Sequence, residues 1–281
     1  MLEVLRYAAF TTDPAGGNPA GVVLDARGLT AQAMQAVAAD VGYSETAFLV
    51  RRDDVGPGNF DVRYFAPAQE VPFCGHATIA AAVALAEREG PKPLALHCPA
   101  GEVRVTTAAG PSGVTAELTS VPPTVEDAGP ALVAEALTAL RWSADDLDPA
   151  YPSAVADAGA RHLVFVTRTR DRLARLDYDV PALTAVMRSA RLTTLQLVWP
   201  EGDGTWSSRN PFPVGGVVED PATGAAAAAL GGYLRHHGFV VPPARLTIHQ
   251  GVDLGRPSTL VVSLDADRPG VRVAGAAVPL P

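Results

Sequence analysis

The chain has 281 residues, 48% of them apolar, with 26 Gly, 25 Pro and a formal net charge of -8 from 22 basic and 30 acidic side chains. This is a turn-rich globular composition with room for one large domain or two smaller ones, and no segment has the polarity of a disordered tail. The acidic balance excludes a general binder of nucleic acid or of anionic membrane surfaces, so neither is expected as a partner.

The start, Met1 to Arg6, lacks the basic segment and apolar core of a secretory leader, and the small-apolar run Ala77 to Ala86 is far short of the ~20 residues that span a bilayer. A cytoplasmic protein is expected. A strand is predicted over Leu2 to Thr12, closed by the turn formers Asp13 to Pro19, and a second over Ala20 to Leu24. Thr30 can cap a helix over Ala31 to Val41 that ends at Gly42, and Ser44 to Val50 then reads as a strand with Glu45 at its entrance. Asn59 to Phe65 alternates as a strand, a helix of small residues runs from about Gly75 to Glu89, and Pro91-Lys92-Pro93 stops it. Strands over Leu94 to His97, Glu102 to Thr107 and Val114 to Leu118 follow, and the proline-rich Ser120 to Asp127 is the expected linker. The second half predicts a helix near Ala131 to Leu140, a strand Arg161 to Thr167, a helix Pro181 to Arg188 and strands Thr194 to Trp199 and Thr205 to Arg209. A second small-residue helix from Ala222 to His237 and strands Ala244 to His249, Ser258 to Ser263 and Val271 to Ala274 complete the chain.

Both small-residue helices are apolar on every face, so protein must surround each of them. They also echo one another. Arg63-Tyr64-Phe65-Ala66-Pro67 leads to Phe73-Cys74-Gly75-His76-Ala77-Thr78, and Arg209-Asn210-Pro211-Phe212-Pro213 leads to Glu219-Asp220-Pro221-Ala222-Thr223-Gly224, with nearly equal spacing. A repeat of about half the chain predicts an α+β fold of two similar domains, 1–122 and 123–281, each a mostly antiparallel, barrel-like sheet around its helix. The C-terminal residues, about 270–281, are candidates to pack back on the first domain.

Standard catalytic motifs are absent. Lys92, the single lysine, sits between two prolines, which disfavours Schiff-base chemistry and a Walker A loop; GxGxxG and HExxH do not occur. Adjacent His236 and His237 do not share one helix face, and with no GxGxxG a metal or dinucleotide enzyme is disfavoured. Cys74 and Cys98 are the only cysteines and form no CxxC pair, so both are expected as thiols. What remains is the polar entrance to each buried helix, where glycines and first-turn N-H groups favour an anion. Each residue there also has a plainer reading. Asp220 before Pro221 fits a simple N-cap, His76 a structural histidine, Cys74 a buried filler and Glu45 a solvated carboxylate.

Six segments in order carry a resemblance: Gly17-Asn18-Pro19-Ala20, Ser44-Glu45-Thr46, Phe73 to Thr78, Arg161-His162-Leu163-Val164-Phe165-Val166, Glu219 to Gly224 and Gln250-Gly251. They resemble the PhzF-like phenazine-biosynthesis family across nearly the whole chain. The resemblance implies the diaminopimelate epimerase fold, a site between two domains, and a cofactor-independent isomerase that moves a proton and a double bond, typified by trans-2,3-dihydro-3-hydroxyanthranilate isomerase. It implies Glu45 as general acid/base, assisted by His76 and Asp220. Asn18, Ser44, Cys74, Gly75, Thr223, Gly224 and Ala225 are then the expected contacts of a small carboxylated substrate, and a homodimer is compatible with the family.

Two departures bear on the substrate: Ala225 stands where many members have Ser, and Pro211 interrupts the Arg-x-Phe-x-Pro pattern that Arg63 to Pro67 keeps. A two-thiol epimerase or racemase of the same fold is the nearest rival, with Cys74 in place but no cysteine in the second half. A binding protein of the same fold without catalysis is the rival from another class.

Overall fold

The computed structural model describes residues 2–111 and 113–281, so Met1, the first residue of the start considered above, lies outside them. Two compact units are present. One holds the residues up to Thr119 together with Ala274–Pro281, and the other holds Ser120–Val273.

The first unit runs β1 (Leu5–Ala9), β2 (Asn18–Val23), α1 (Ala31–Val41), β3 (Glu45–Arg51), β4 (Asn59–Phe65), β5 (Glu70–Val71), α2 (Gly75–Glu89), β6 (Pro93–Cys98), β7 (Gly101–Gly110) and β8 (Gly113–Thr119). Most neighbouring strands are antiparallel, but β2 runs parallel to β3, and β4 parallel to β6. Each parallel pair brackets a helix, because a parallel return needs a crossover. Helix α1 crosses on one side and packs Met34 and Ala38 on Val23, Phe48 and Phe65. Helix α2 is the other crossover, and every residue from His76 to Ala86 is buried.

The second unit repeats this order. It contains β9 (Thr124–Asp127), α3 (Pro130–Leu140), β10 (Ala154–Asp157), β11 (Arg161–Val166), α4 (Arg170–Ala174), α5 (Val180–Ser189), β12 (Thr194–Gly202), β13 (Thr205–Pro211), β14 (Glu219–Asp220), α6 (Gly224–His236), β15 (Ala244–Gln250) and β16 (Ser258–Leu264). β17 (Val271–Pro279) begins here, and its last residues belong to the first unit, where Pro279 faces Tyr7 of β1. β11 runs parallel to β12, and β13 parallel to β15, as in the first unit. Helix α6 is buried from Ala226 to Leu234. The expected α+β fold, with a mostly antiparallel sheet around a central helix in each of two similar units, is therefore the fold observed.

Small residues are what let strands close around these helices. A Cβ on Gly231 would come within 2.9 Å of Val262 Cγ1, and one on Gly232 within 2.4 Å of Pro123 Cβ. Ala227 is 1% exposed in the same helix. Ala227→Leu should therefore overpack the interior and cost ~1–3 kcal/mol; an unchanged urea midpoint would contradict the packing.

The structure differs from the sequence expectations in several places. Part of the expected linker is strand: past Pro123, the β-branched Thr124 and Val125 enter β9, which pairs antiparallel with β10. β10 and the five-residue α4 were not anticipated, because four residues of Ala-Val-Ala-Asp and one helical turn carry too little periodicity. Helix α6 starts at Gly224 rather than Ala222, with Thr223 as its N-cap. The last strand runs on from Ala274 to Pro279, its burial alternating along its length.

The interior of the second unit holds a polar chain. Asn210 Nδ2 donates to Gln196 Oε1 at 2.6 Å and to Thr194 Oγ1 at 2.9 Å, and His162 Nδ1 lies 2.8 Å from that same hydroxyl. His162 is fully buried, and desolvation lowers its pKa to about 3. The unfolded chain takes up this proton near pH 6.5 and the folded chain does not, so the stability it represents is complete above 6.5 and is lost as pH falls from there toward 3. The wild type should lose ~1.4 kcal/mol per pH unit from this group within that range. His162→Gln should flatten the pH dependence of the urea midpoint between pH 6 and 5, whatever its absolute stability; an unchanged slope would remove His162 as the cause.

Candidate functional site

Glu45 is placed by the end of α1 and by a parallel strand. Gly42 adopts φ 72, its N-H bonds to Ala38 O, and the chain turns into β3, where Ala20 of β2 stands beside Glu45. Helix α2 begins at the far end of the β4–β5 hairpin with Cys74 as N-cap. Two buried hydroxyls fix that end: Thr78 Oγ1 donates to Cys74 O at 2.7 Å, and the Tyr64 hydroxyl lies 2.6 Å from Thr78 Oγ1. Burial holds the Tyr64 proton on by raising its pKa.

Three chemically active side chains meet there. His76 Nε2 lies 3.4 Å from Glu45 Oε2, with the two side chains 7% and 15% exposed. Cys74 Sγ donates to the same Oε2 at 3.5 Å and lies 3.4 Å from His76 Nδ1. Ser44 Oγ is 3.2 Å from His76 Nε2. Gly75 opens the helix between Cys74 and His76, and the buried Asn18 starts β2 on the neighbouring strand. Ser44, Glu45, Cys74 and His76 are thus brought together from two segments about thirty residues apart, an arrangement with a proton carrier, a hydrogen-bond partner and a helix N-terminus. The ligand-type atoms of Glu45, Cys74 and His76 lie within 4.8 Å of one another, with Cys74 Sγ beside the imidazole ring, 3.4 Å from Nδ1 and 3.8 Å from Nε2.

In the second unit, Asp220 is not the cap of α6. It lies in β14 opposite Asn210, 8% exposed, and its Oδ2 accepts from Thr223 Oγ1 at 2.5 Å. Gln250 holds this turn together: its Oε1 accepts from Thr223 N at 3.0 Å, and its Nε2 donates to Asp220 O at 2.7 Å and to Thr223 Oγ1 at 3.0 Å. Gly251, at φ 74, has room for no side chain, since a Cβ would meet Pro221 O at 2.7 Å. Gly224 and Ala225 form the first turn of α6. Gln250 and Tyr64 carry no role readable from sequence, because each acts through a partner 14 or more residues away.

The repeat shows which positions correspond. Arg63 faces Phe48 across β4 and β3, and Arg209 faces Leu197 across β13 and β12, so Glu45 corresponds to Thr194. The N-caps match Cys74 with Thr223, and two residues further on His76 with Ala225. All three titratable side chains of the cluster therefore belong to one copy.

Residues 7–281 match the family model described as phenazine biosynthesis-like protein. The chain is similar to the uncharacterized isomerase YddE of Escherichia coli O157:H7, 34% identical over 98% of this chain and 95% of that protein. It is 33% identical to the trans-2,3-dihydro-3-hydroxyanthranilate isomerase of Pseudomonas chlororaphis, over 90% of this chain and 86% of that one. The crystal structure of a Bacillus anthracis PhzF-family phenazine biosynthesis protein superposes with a TM-score of 0.87 at 25% identity, over 100% of this chain and 97% of that one. No helix among the described residues is long and apolar enough to cross a membrane. With the family model, these relatives and the repeated helix-in-sheet architecture in agreement, the chain belongs to the PhzF family of phenazine biosynthesis-like isomerases.

Proposed function

We propose that the protein is a cofactor-independent isomerase that shifts a proton and a double bond on a small carboxylated ring, with Glu45 as the proton carrier. The observation that carries this reading is the contact of Glu45 Oε2 with both His76 Nε2 and Cys74 Sγ at the buried start of α2. Glu45 takes a proton from one ring carbon, the C-H electron pair moves into the conjugated system, and charge collects toward the substrate carboxylate. His76 and the first-turn amides of a helix favour that charge. Glu45 then returns the proton to a second carbon, so composition and redox state are unchanged. Asp220, Asn18, Ser44, Thr223, Gly224 and Ala225 take the assisting and substrate-binding roles that the family resemblance implies.

A two-thiol mechanism is a weaker reading, because the N-cap of α6 that corresponds to Cys74 is Thr223. The experiment is turnover of trans-2,3-dihydro-3-hydroxyanthranilate in D2O. The expected product carries deuterium at the newly protonated carbon to the extent that Glu45 exchanges with solvent before return. Inversion of an amino-acid centre that stops on alkylation of Cys74 would overturn the reading.

A further inference from the structure

We propose that Gln250 is a positioning residue: it turns the hydroxyl of Thr223 away from α6 and onto the Asp220 carboxylate. This role rests on Asp220 and the first turn of α6 serving the isomerase reaction; the direction of the hydroxyl does not. Gln250 is 1% exposed, and its partners fix which way its amide faces. Thr223 N can only donate, so Oε1 accepts from it at 3.0 Å; Asp220 O can only accept, so Nε2 donates to it at 2.7 Å. The other Nε2 hydrogen goes to Thr223 Oγ1 at 3.0 Å. The single hydroxyl proton of Thr223 is then left to point at Asp220 Oδ2, 2.5 Å away. An N-cap threonine ordinarily turns its oxygen to the helix, as Thr30 does to Ala33 N and Thr169 to Arg172 N. The Thr223 side chain makes no such bond to α6.

The first unit folds the same turn without this brace. Arg63 and Arg209 correspond, so Asp61 corresponds to Ser207, and these face His97 of β6 and His249 of β15. One residue further on, Cys98 stands in the place of Gln250. Val71 stands in the place of Asp220, since it faces Tyr64 where Asp220 faces Asn210. With Cys74 matching Thr223, all three members of the brace differ between the copies. Val71 has no polar side-chain atom, and Cys98 Sγ donates to Gly101 O at 3.2 Å. Helix α2 is nevertheless buried as α6 is. A triad that one copy of the fold does without is explained by the chemistry of Asp220 rather than by packing. The hydroxyl orients the Asp220 carboxylate by a charge-assisted bond, and the first-turn N-H groups of α6 stay open to the substrate carboxylate.

The test is a double-mutant cycle in the full-length protein, read by kcat and KM for trans-2,3-dihydro-3-hydroxyanthranilate, beside crystal structures of the wild type and Gln250→Met. Gln250→Met keeps an unbranched side chain that can fill the space but cannot donate a hydrogen bond. Gln250→Met and Thr223→Val should each lower kcat about tenfold. The double variant should fall no further than the lower of the two, because both act through one hydroxyl. Thr223→Ser should recover most of the turnover that Thr223→Val loses. In the Gln250→Met crystal, Thr223 Oγ1 should swing from Asp220 to the N-H of Ala226. Effects that multiply in the cycle, or a Thr223 hydroxyl that stays on Asp220 in that crystal, overturn the role. If Gln250→Met does not fold, Gln250→Glu takes its place, keeping the acceptor for Thr223 N and losing the amide donors. If the wild type gives no turnover, that reading of the reaction fails, and the crystallographic position of Thr223 Oγ1 alone decides.

Discussion

Turnover by the Glu45→Gln variant should fall by on the order of 10²-fold or more, while binding of a carboxylated ring ligand is retained. The substitution preserves length and shape, and an amide oxygen can still accept from the neighbouring Cys74 and His76. What it removes is the ability to take up and release a proton at that position. Steady-state kinetics beside a direct binding measurement separates the two effects, because loss of an interaction made only in the transition state lowers kcat rather than ligand affinity. A variant that turns over at the wild-type rate would refute the assignment of Glu45.

Removal of one carboxylate in the second unit should have the largest effect on stability. Glu219 and Arg209 form a buried ion pair, with side chains 1% and 9% exposed, in which Arg209 Nε donates to Oε1 at 3.0 Å and Nη2 reaches Oε2. Arg209 Nη1 also donates to Ala174 O at 2.7 Å. Glu219→Ala leaves a guanidinium buried with most of its partners gone, which costs ~3–5 kcal/mol. The corresponding pair in the first unit provides an internal comparison. Arg63 donates to Glu70 through Nε at 2.7 Å and Nη2 at 2.6 Å, and these hydrogen bonds lower the Glu70 pKa, yet the side chains are 38% and 33% exposed. Solvent screening limits Glu70→Ala to ~0–1 kcal/mol. Equal shifts in the urea midpoint for the two variants would show that burial does not govern the difference. Glu219 also precedes Asp220 in β14, so its loss should loosen the turn that Gln250 and Thr223 brace.

The parts of the fold legible in the sequence were those with strong local patterns. Thr30 and Gly42 bound α1 as caps because their chemistry acts within one turn, and the small residues of α2 and α6 announced their burial before any partner was known. The segment after Pro123 was less legible, because whether Thr124 and Val125 form a strand depends on β10, some 30 residues later in the chain. Asp220 shows the same limit at the site. Asp-Pro at the head of a helix has the local grammar of an N-cap, but pairing of β14 with β13 holds Asp220 in a strand and passes the cap to Thr223. Likewise no spacing rule connects Glu45 with Cys74, whose contact is set by how β3 and the start of α2 are folded together.

The confinement of carboxylate, imidazole and thiol to one copy of the repeat has a stereochemical consequence. A site with a base on either side of a carbon inverts it, taking a proton from one face and delivering another to the opposite face. Where Glu45 is the carrier and its counterpart is Thr194, departure and arrival share a single carboxylate, so the proton must move suprafacially. The fraction of substrate proton retained in the product, against that taken from solvent, would then measure how long Glu45 holds it.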